Sequence, residues 1–186
     1  SILTDYDPTT GYLAMDKGLL FWRSFTHWIG GMGVLVFVTA ISRKNPDRSI
    51  HILKAEMPGP TMDKIVPRSG DTAKILYLMY LAMTVVTFVL LLFGGMNVFD
   101  GMIHALGTAG TGGFGIHSDG LAGYSPFCQW VIAIFMFLFG INFNLYYLIL
   151  AGKVKDVLKS SELKLYFLLV FLATAGICIN LSLIHI

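Results

Sequence analysis

The chain has 186 residues, of which 55% are hydrophobic and only 13% charged, with a formal net charge of +2. Soluble domains carry about 25% charged residues, so a soluble fold of this length could not hide so much apolar surface, and the mean hydropathy of +0.71 places the chain in a membrane. The small net charge argues against a nucleic-acid partner, and the two cysteines, Cys128 and Cys178, both in apolar runs, exclude a disulfide scaffold or a cysteine-rich zinc site.

The first 17 residues are polar and do not read as a signal peptide, and both ends read as cuts through a longer protein. The first apolar run, Gly18 to Ile41, is interrupted only by Arg23, whose long side chain is expected to snorkel to the interface. A basic loop follows over 42–74. The second run is Ile75 to Gly95. Asn97 to Gly107 is apolar but too short to cross, and Asn97 with Asp100 three residues on reads as a helix N-cap with an acidic partner. A glycine-rich stretch occupies Thr108 to Gly115, and a polar return runs from Ile116 to Ser125 before Pro126. The third run is Phe127 to Ala151, and the fourth is Leu163 to His185. At about 1.5 Å per residue, each long run covers about 30 Å of hydrocarbon as helix. Segment 75–151 thus predicts helix, half-helix dipping into the membrane, extended return and helix, since irregular backbone at that depth needs protein or water around it.

The basic residues sort by position. Seven lie at Arg43, Lys44, Arg48, Lys54, Lys64, Arg68 and Lys74, four more at Lys153, Lys155, Lys159 and Lys164, and none from Ile75 to Gly152. By the positive-inside rule, loops 42–74 and 152–162 are expected to be cytoplasmic and 96–126 extracytoplasmic. The layout also repeats. The outward runs open alike, with Lys74-Ile75-Leu76-Tyr77 and Lys164-Leu165-Tyr166. A slide of 110 residues places Gly30 on Gly140, Phe25 on Phe135 and Leu35 on Leu145. Repeats in membrane proteins commonly surround a shared pathway.

Gly110, Gly112 and Gly115 match G-x-G-x-x-G, but the dinucleotide reading needs a strand before it and a helix after it. Cation coordination is the other chemistry glycine serves. Dehydrating a potassium ion takes oxygens that replace its water shell, and backbone carbonyls supply them when successive peptides point the same way. Glycine permits the positive φ values this needs. A half-helix would also aim its negative C-terminal end at the ion. Tight packing around small residues is the competing use of the same stretch.

Several motifs together carry a resemblance. Trp22-Arg23-Ser24-Phe25-Thr26-His27-Trp28-Ile29-Gly30-Gly31-Met32-Gly33 resembles the signature of the TrkH/KtrB superfamily of potassium transporters, as does Thr111-Gly112-Gly113-Phe114 after a short helix. Lys54 to Pro60, then Asp63-Lys64 and Pro67-Arg68, resemble the TrkH branch in particular, and Gly140-Ile141-Asn142-Phe143-Asn144 also fits. The resemblance implies an all-α integral membrane fold of repeated helix–pore loop–helix units, with one complete re-entrant pore loop in this chain. Residues 1–41 would end the first pore unit with an outer loop and its second helix. Residues 42–74 would be a cytoplasmic loop. Residues 75–151 would form the second unit, with pore helix 97–107 and filter 108–115. Residues 152–186 would hold a cytoplasmic loop and the first helix of a third unit. The resemblance further implies potassium uptake across the cytoplasmic membrane of a prokaryote, with the carbonyls of Thr111, Gly112, Gly113 and Phe114 coordinating potassium as substrate. It implies a homodimer and a cytoplasmic nucleotide-binding regulatory subunit of the TrkA type, and no cofactor. A single pore loop cannot encircle an ion, so these residues alone are expected to pass no potassium.

Gly30, Gly31 and Gly33 are expected to form close-packing surfaces. Asn142 and Asn144 are expected either to hydrogen-bond between helices or to line a vestibule. The histidines show no metal-ligand spacing, and His117-Ser118-Asp119 is contiguous, which is not how a catalytic triad is recognised. A sodium-permeable or sodium/proton-coupled relative is the nearest alternative function. A membrane-embedded enzyme would need paired ionisable groups at depth, and a scaffold without a pathway would not need the glycine run.

Overall fold

The computed structural model describes residues 15–31 and 69–184. Among them the chain forms seven α-helices and no strand: α1 Lys17–Gly31, α2 Ser69–Phe93, α3 Val98–Ala109, α4 Pro126–Phe139, α5 Phe143–Leu150, α6 Val154–Lys159 and α7 Ser161–Ile184. The rest of the first apolar run and most of the 42–74 loop lie outside the described residues. The chain divides into two compact units, Ser1–Gly140 and Ile141–Ile186.

In the first unit α3 is the centre, packed against α1, α2 and α4, with α2 also against α4. It has only 12 residues, about 18 Å of helix against about 30 Å of hydrocarbon. It is nonetheless buried on most sides, at Asp100, Gly101, Ile103, His104, Ala105, Gly107, Thr108 and Ala109. One core cluster joins Ala105 to Leu91, Met96, Cys128, Val131 and Ile132, and a second joins Ile103 to Leu20 and Ile116. A short apolar helix enclosed by its neighbours, with the chain returning beside the place it left, is the arrangement expected of a re-entrant segment.

Local chemistry explains the turns that aim it. Gly95, with φ +92°, makes the corner after α2. Asn97 caps α3, its side-chain oxygen accepting from the Asp100 N–H at 2.8 Å, while its amide donates to Asp100 Oδ2 at 2.8 Å. At the far end of the return, Ser125 Oγ accepts from the Cys128 N–H and donates to the Gly94 carbonyl at 2.8 Å, with Pro126 at the first helical position. The two ends of the loop are therefore pinned together.

Two expectations on helix bounds change. Helix α2 begins at Ser69, ahead of the apolar run. Apolar residues mark the depth of hydrocarbon, and the backbone hydrogen bonds continue beyond it. The third apolar run, expected as one helix over 127–151, is two helices. Helix α4 ends at Phe139 and is capped by Gly140, whose N–H bonds back to the Met136 carbonyl.

In the second unit, Asn142 restarts the chain by accepting from the Asn144 N–H at 2.9 Å, and its amide donates to Glu162 Oε1 at 2.9 Å. Asn142 is thus a helix cap. Helix α6, inside the loop expected over 152–162, packs against α5 and α7. Helices α2 over Lys74–Phe93 and α7 over Ser161–Asn180 are long and apolar enough to cross a membrane, and the α4–α5 pair is a third span if counted together.

Candidate functional site

The glycine-rich segment folds back on the C-terminal end of α3. The N–H groups of Thr111 and Gly112 donate to the carbonyls of Thr108 and Gly107, both at 2.9 Å. Thr108 and Ala109, expected in the filter, are the last turn of the helix. Beyond Gly110 the backbone takes left-handed conformations at two alternate residues, Thr111 (φ 58°) and Gly113 (φ 63°). For Gly113 this costs nothing steric. For Thr111, β-branched, it is an outlier that surrounding structure must hold, at about 1–3 kcal/mol. Its hydroxyl donates to the Gly110 carbonyl at 2.7 Å. A cation site built from backbone carbonyls needs successive peptides turned to one side, and positive φ at alternate positions is the kind of backbone such a site calls for. The negative end of the α3 dipole faces the same segment. Thr111, Gly112, Gly113 and Phe114 are thus one irregular stretch at the end of a buried half-helix, flanked by no charged residue from 101 to 118.

Sequence reasoning missed the wall behind that stretch, which is α1. Its close approach depends on glycine. A Cβ on Gly110 would run into the His27 ring and lie 3.0 Å from the His27 carbonyl. On Gly112 it would lie 2.6 Å from His27 Nε2 and 2.5 Å from the Phe114 ring. The His27 imidazole meets Phe114 edge-on, with centroids 5.1 Å apart. Gly31 is packed as expected, but Gly30 has open space around its Cβ direction. Gly33 lies outside the described residues.

Arg23 of α1 reaches the far end of that stretch. Its Nη2 donates to the Gly115 carbonyl at 3.2 Å, and its guanidinium carbon sits 4.5 Å from the Phe114 ring centroid. The spacing of Arg23 and His27, one helical turn, was the only signal in the sequence that both face one object.

The start of α3 carries a second polar group. Asp100, 2% exposed, accepts from the Tyr124 hydroxyl at 2.9 Å as well as from Asn97, and His117 Nε2 lies 3.6 Å from the same Oδ2. Gln129 Nε2 donates to the carbonyls of Leu121 and Tyr124, both at 3.1 Å. Asp100 thus ties the polar return to the start of the half-helix, and Gln129 ties it to α4. His117 faces Asp100 and Tyr124. The His104 ring meets Tyr124 edge-on, and its buried Nε2 has no hydrogen-bond partner among the described residues. Among those residues no three His, Cys, Asp or Glu side chains converge as metal ligands.

The chain has relatives among known proteins. A protein-family model described as TrkH, cation transport protein, matches residues 7–179. The chain is 38% identical over 156 residues to the Trk system potassium uptake protein TrkH of Escherichia coli K12, covering 81% of this chain and 32% of that protein. It is 31% identical over 170 residues to the potassium uptake protein TrkG of the same organism, covering 87% of this chain and 35% of the other. Among solved structures, that of the potassium transporter TrkH from Vibrio parahaemolyticus aligns with a TM-score of 0.56 and 29% identity, over 74% of this chain and 26% of that one. The chain thus spans about a third of the length of these curated relatives.

Proposed function

Because this chain belongs to the TrkH family of cation transport proteins, we propose that it forms part of a pore for potassium uptake across the cytoplasmic membrane of a prokaryote. The family is one of transporters, not of enzymes. Relatives of both names above are called potassium uptake proteins. In this reading the carbonyls of Thr111, Gly112, Gly113 and Phe114 replace water around a potassium ion, and no bond is made or broken. The observation that carries it is the pair of left-handed residues, Thr111 and Gly113, at the end of a buried half-helix.

The unit plan follows from the same reading. Residues 75–151 are one helix–pore loop–helix unit. Residues 1–41 end the unit before it, and 152–186 begin the next. The loops over 42–74 and 152–162 are cytoplasmic and 96–126 extracytoplasmic, because eleven of the thirteen basic residues fall at 43–74 and 153–164. The homodimer and the TrkA-type nucleotide-binding subunit belong to this proposal as partners of the full-length protein.

The test is competitive uptake of rubidium and sodium by the full-length protein in a strain lacking its own potassium transporters. Rubidium preference that collapses on altering Gly113 supports the filter. Equal uptake of both ions by the unaltered protein supports the sodium-permeable alternative instead.

A further inference from the structure

We propose that Arg23 is a positioning residue for the candidate filter, its guanidinium holding the exit of that segment through the Gly115 carbonyl and the Phe114 ring. The inference rests on reading Thr111 to Phe114 as the filter, and adds a residue from the preceding unit to it.

The filter entrance is held by α3 itself, through the Thr111 and Gly112 N–H bonds to Thr108 and Gly107. Past the left-handed Gly113 the chain has left the helix, and a flexible peptide there would let its carbonyl rotate. Arg23 reaches this point from 92 residues away in sequence. One planar group makes two contacts at right angles in kind: a donated hydrogen bond that fixes the Gly115 carbonyl, and a face on Phe114 that fixes the ring. A guanidinium suits both, because it is planar, always charged and weakly hydrated. A lysine ammonium is a compact, strongly hydrated point charge and cannot span both contacts in the same way. A positive charge beside a cation path is electrostatically unfavourable to the ion, so its presence points to geometry as its role.

His27, one turn along α1, meets Phe114 edge-on and lies against Gly112. Helix α1 therefore grips the segment at two levels. The cleft beside them, about 520 Å³ and lined by Arg23, His27, Gly30, Gly110 and Phe114 among others, leaves space for altered side chains at position 23.

The experiment measures rubidium and sodium uptake by the full-length protein at matched membrane abundance, for Arg23→Lys, Arg23→Gln, Phe114→Leu, Gly113→Ser and the Arg23→Lys/Phe114→Leu pair. Arg23→Lys and Arg23→Gln should both lower the rubidium-to-sodium ratio, by roughly 5-fold, the scale of losing one cation–π contact and one hydrogen bond. Arg23→Lys should cost clearly less in the Phe114→Leu background, because the ring it served is gone. If Arg23→Lys keeps the original ratio while Arg23→Gln does not, charge alone matters and the positioning role is overturned. Independent, multiplicative effects of Arg23→Lys and Phe114→Leu overturn it as well, and that comparison stands even if Arg23→Gln fails to insert. If Gly113→Ser changes selectivity and the Arg23 variants do not, this inference fails and the filter reading survives. If Gly113→Ser leaves selectivity intact, both fail together.

Discussion

Gly31 at the end of α1 and Gly110 at the end of α3 meet backbone to backbone. A Cβ built on Gly31 would stand 2.8 Å from the Gly110 Cα and 2.6 Å from the Tyr80 hydroxyl. That hydroxyl is committed to the Trp28 carbonyl at 2.8 Å, and Trp28 Nε1 donates to Thr84 at 3.1 Å. The contact therefore locks three helices at the point where the candidate filter begins.

Substitution separates this contact from mere helix propensity. Gly31→Ala should force α1 off α3, costing about 1–3 kcal/mol as an overpacked site does. Gly30→Ala, with nothing within 4 Å of its Cβ direction, should be neutral or slightly stabilising. Thermal melting of the purified full-length protein in detergent checks this: Gly31→Ala should melt measurably lower and Gly30→Ala should not. Equal melting of the two would remove the close approach as a stabilising feature.

Asp100 gives a second handle, on the N-terminal end of the half-helix. It accepts hydrogen bonds from Asn97 and Tyr124 while 2% exposed. Asp100→Ala would strand those donors and weaken the α3 cap, at a cost of about 1–3 kcal/mol. Tyr124→Phe removes one bond, about 1 kcal/mol. The double variant should lose less than the sum of the two, since the shared bond can be lost only once. Melting curves of the three variants measure the coupling, and strict additivity would mean that the polar return is not held through this pair.

The extent to which the residues announced this arrangement differs from place to place, for physical reasons. The half-helix was legible because Asn97 and Asp100 are a local cap, written within four residues. Gly113 was legible as a need for unusual backbone, whereas Gly110 and Gly112 make room for His27 of α1, a contact that no local pattern announces. The break at Gly140 was not, because apolar residues run on through it and an asparagine in such a run reads equally as a link between helices. The target of Arg23 was also hidden. Its partners are a carbonyl and a ring ninety residues away, and a backbone carbonyl leaves no residue type in the sequence to find. The proposed topology rests on charge asymmetry, a property of whole loops rather than of single contacts.

Orientation can be checked directly. In a background with Cys128 and Cys178 replaced by serine, cysteines placed singly at Asp119, Lys54 and Lys155 should divide by side. A membrane-impermeant maleimide added outside should label position 119 only. The other two should react once the inner face is exposed. Outside labelling at position 54 would reverse the topology drawn from the basic loops.

Gly113 is the sharpest test of the filter. Its φ of 63° lies in the left-handed region, and the space around it is open, the nearest atom to an added Cβ being Met136 Cε at 3.8 Å. A serine there would not be excluded by crowding. It would be strained by its backbone, at about 1–3 kcal/mol, and the relief of that strain is rotation of the peptide, which turns a carbonyl away from its neighbours. If the strain falls wholly on potassium coordination, the loss is about 5- to 150-fold in the equilibrium constant. The fitting control is Gly123→Ser. Gly123 does not have a positive φ, and its added Cβ would meet only the carboxylate end of Asp119, at 2.8 Å, which can swing aside. Full-length protein carrying each change, expressed in cells without other potassium transporters, should insert to similar levels. Gly113→Ser should take up rubidium more slowly and favour it less over sodium, while Gly123→Ser should match the unaltered protein. Unchanged selectivity in Gly113→Ser, with a defect in Gly123→Ser, would move the filter away from Thr111 to Phe114. Loss of uptake in both with selectivity intact would assign these glycines to folding of the outer return.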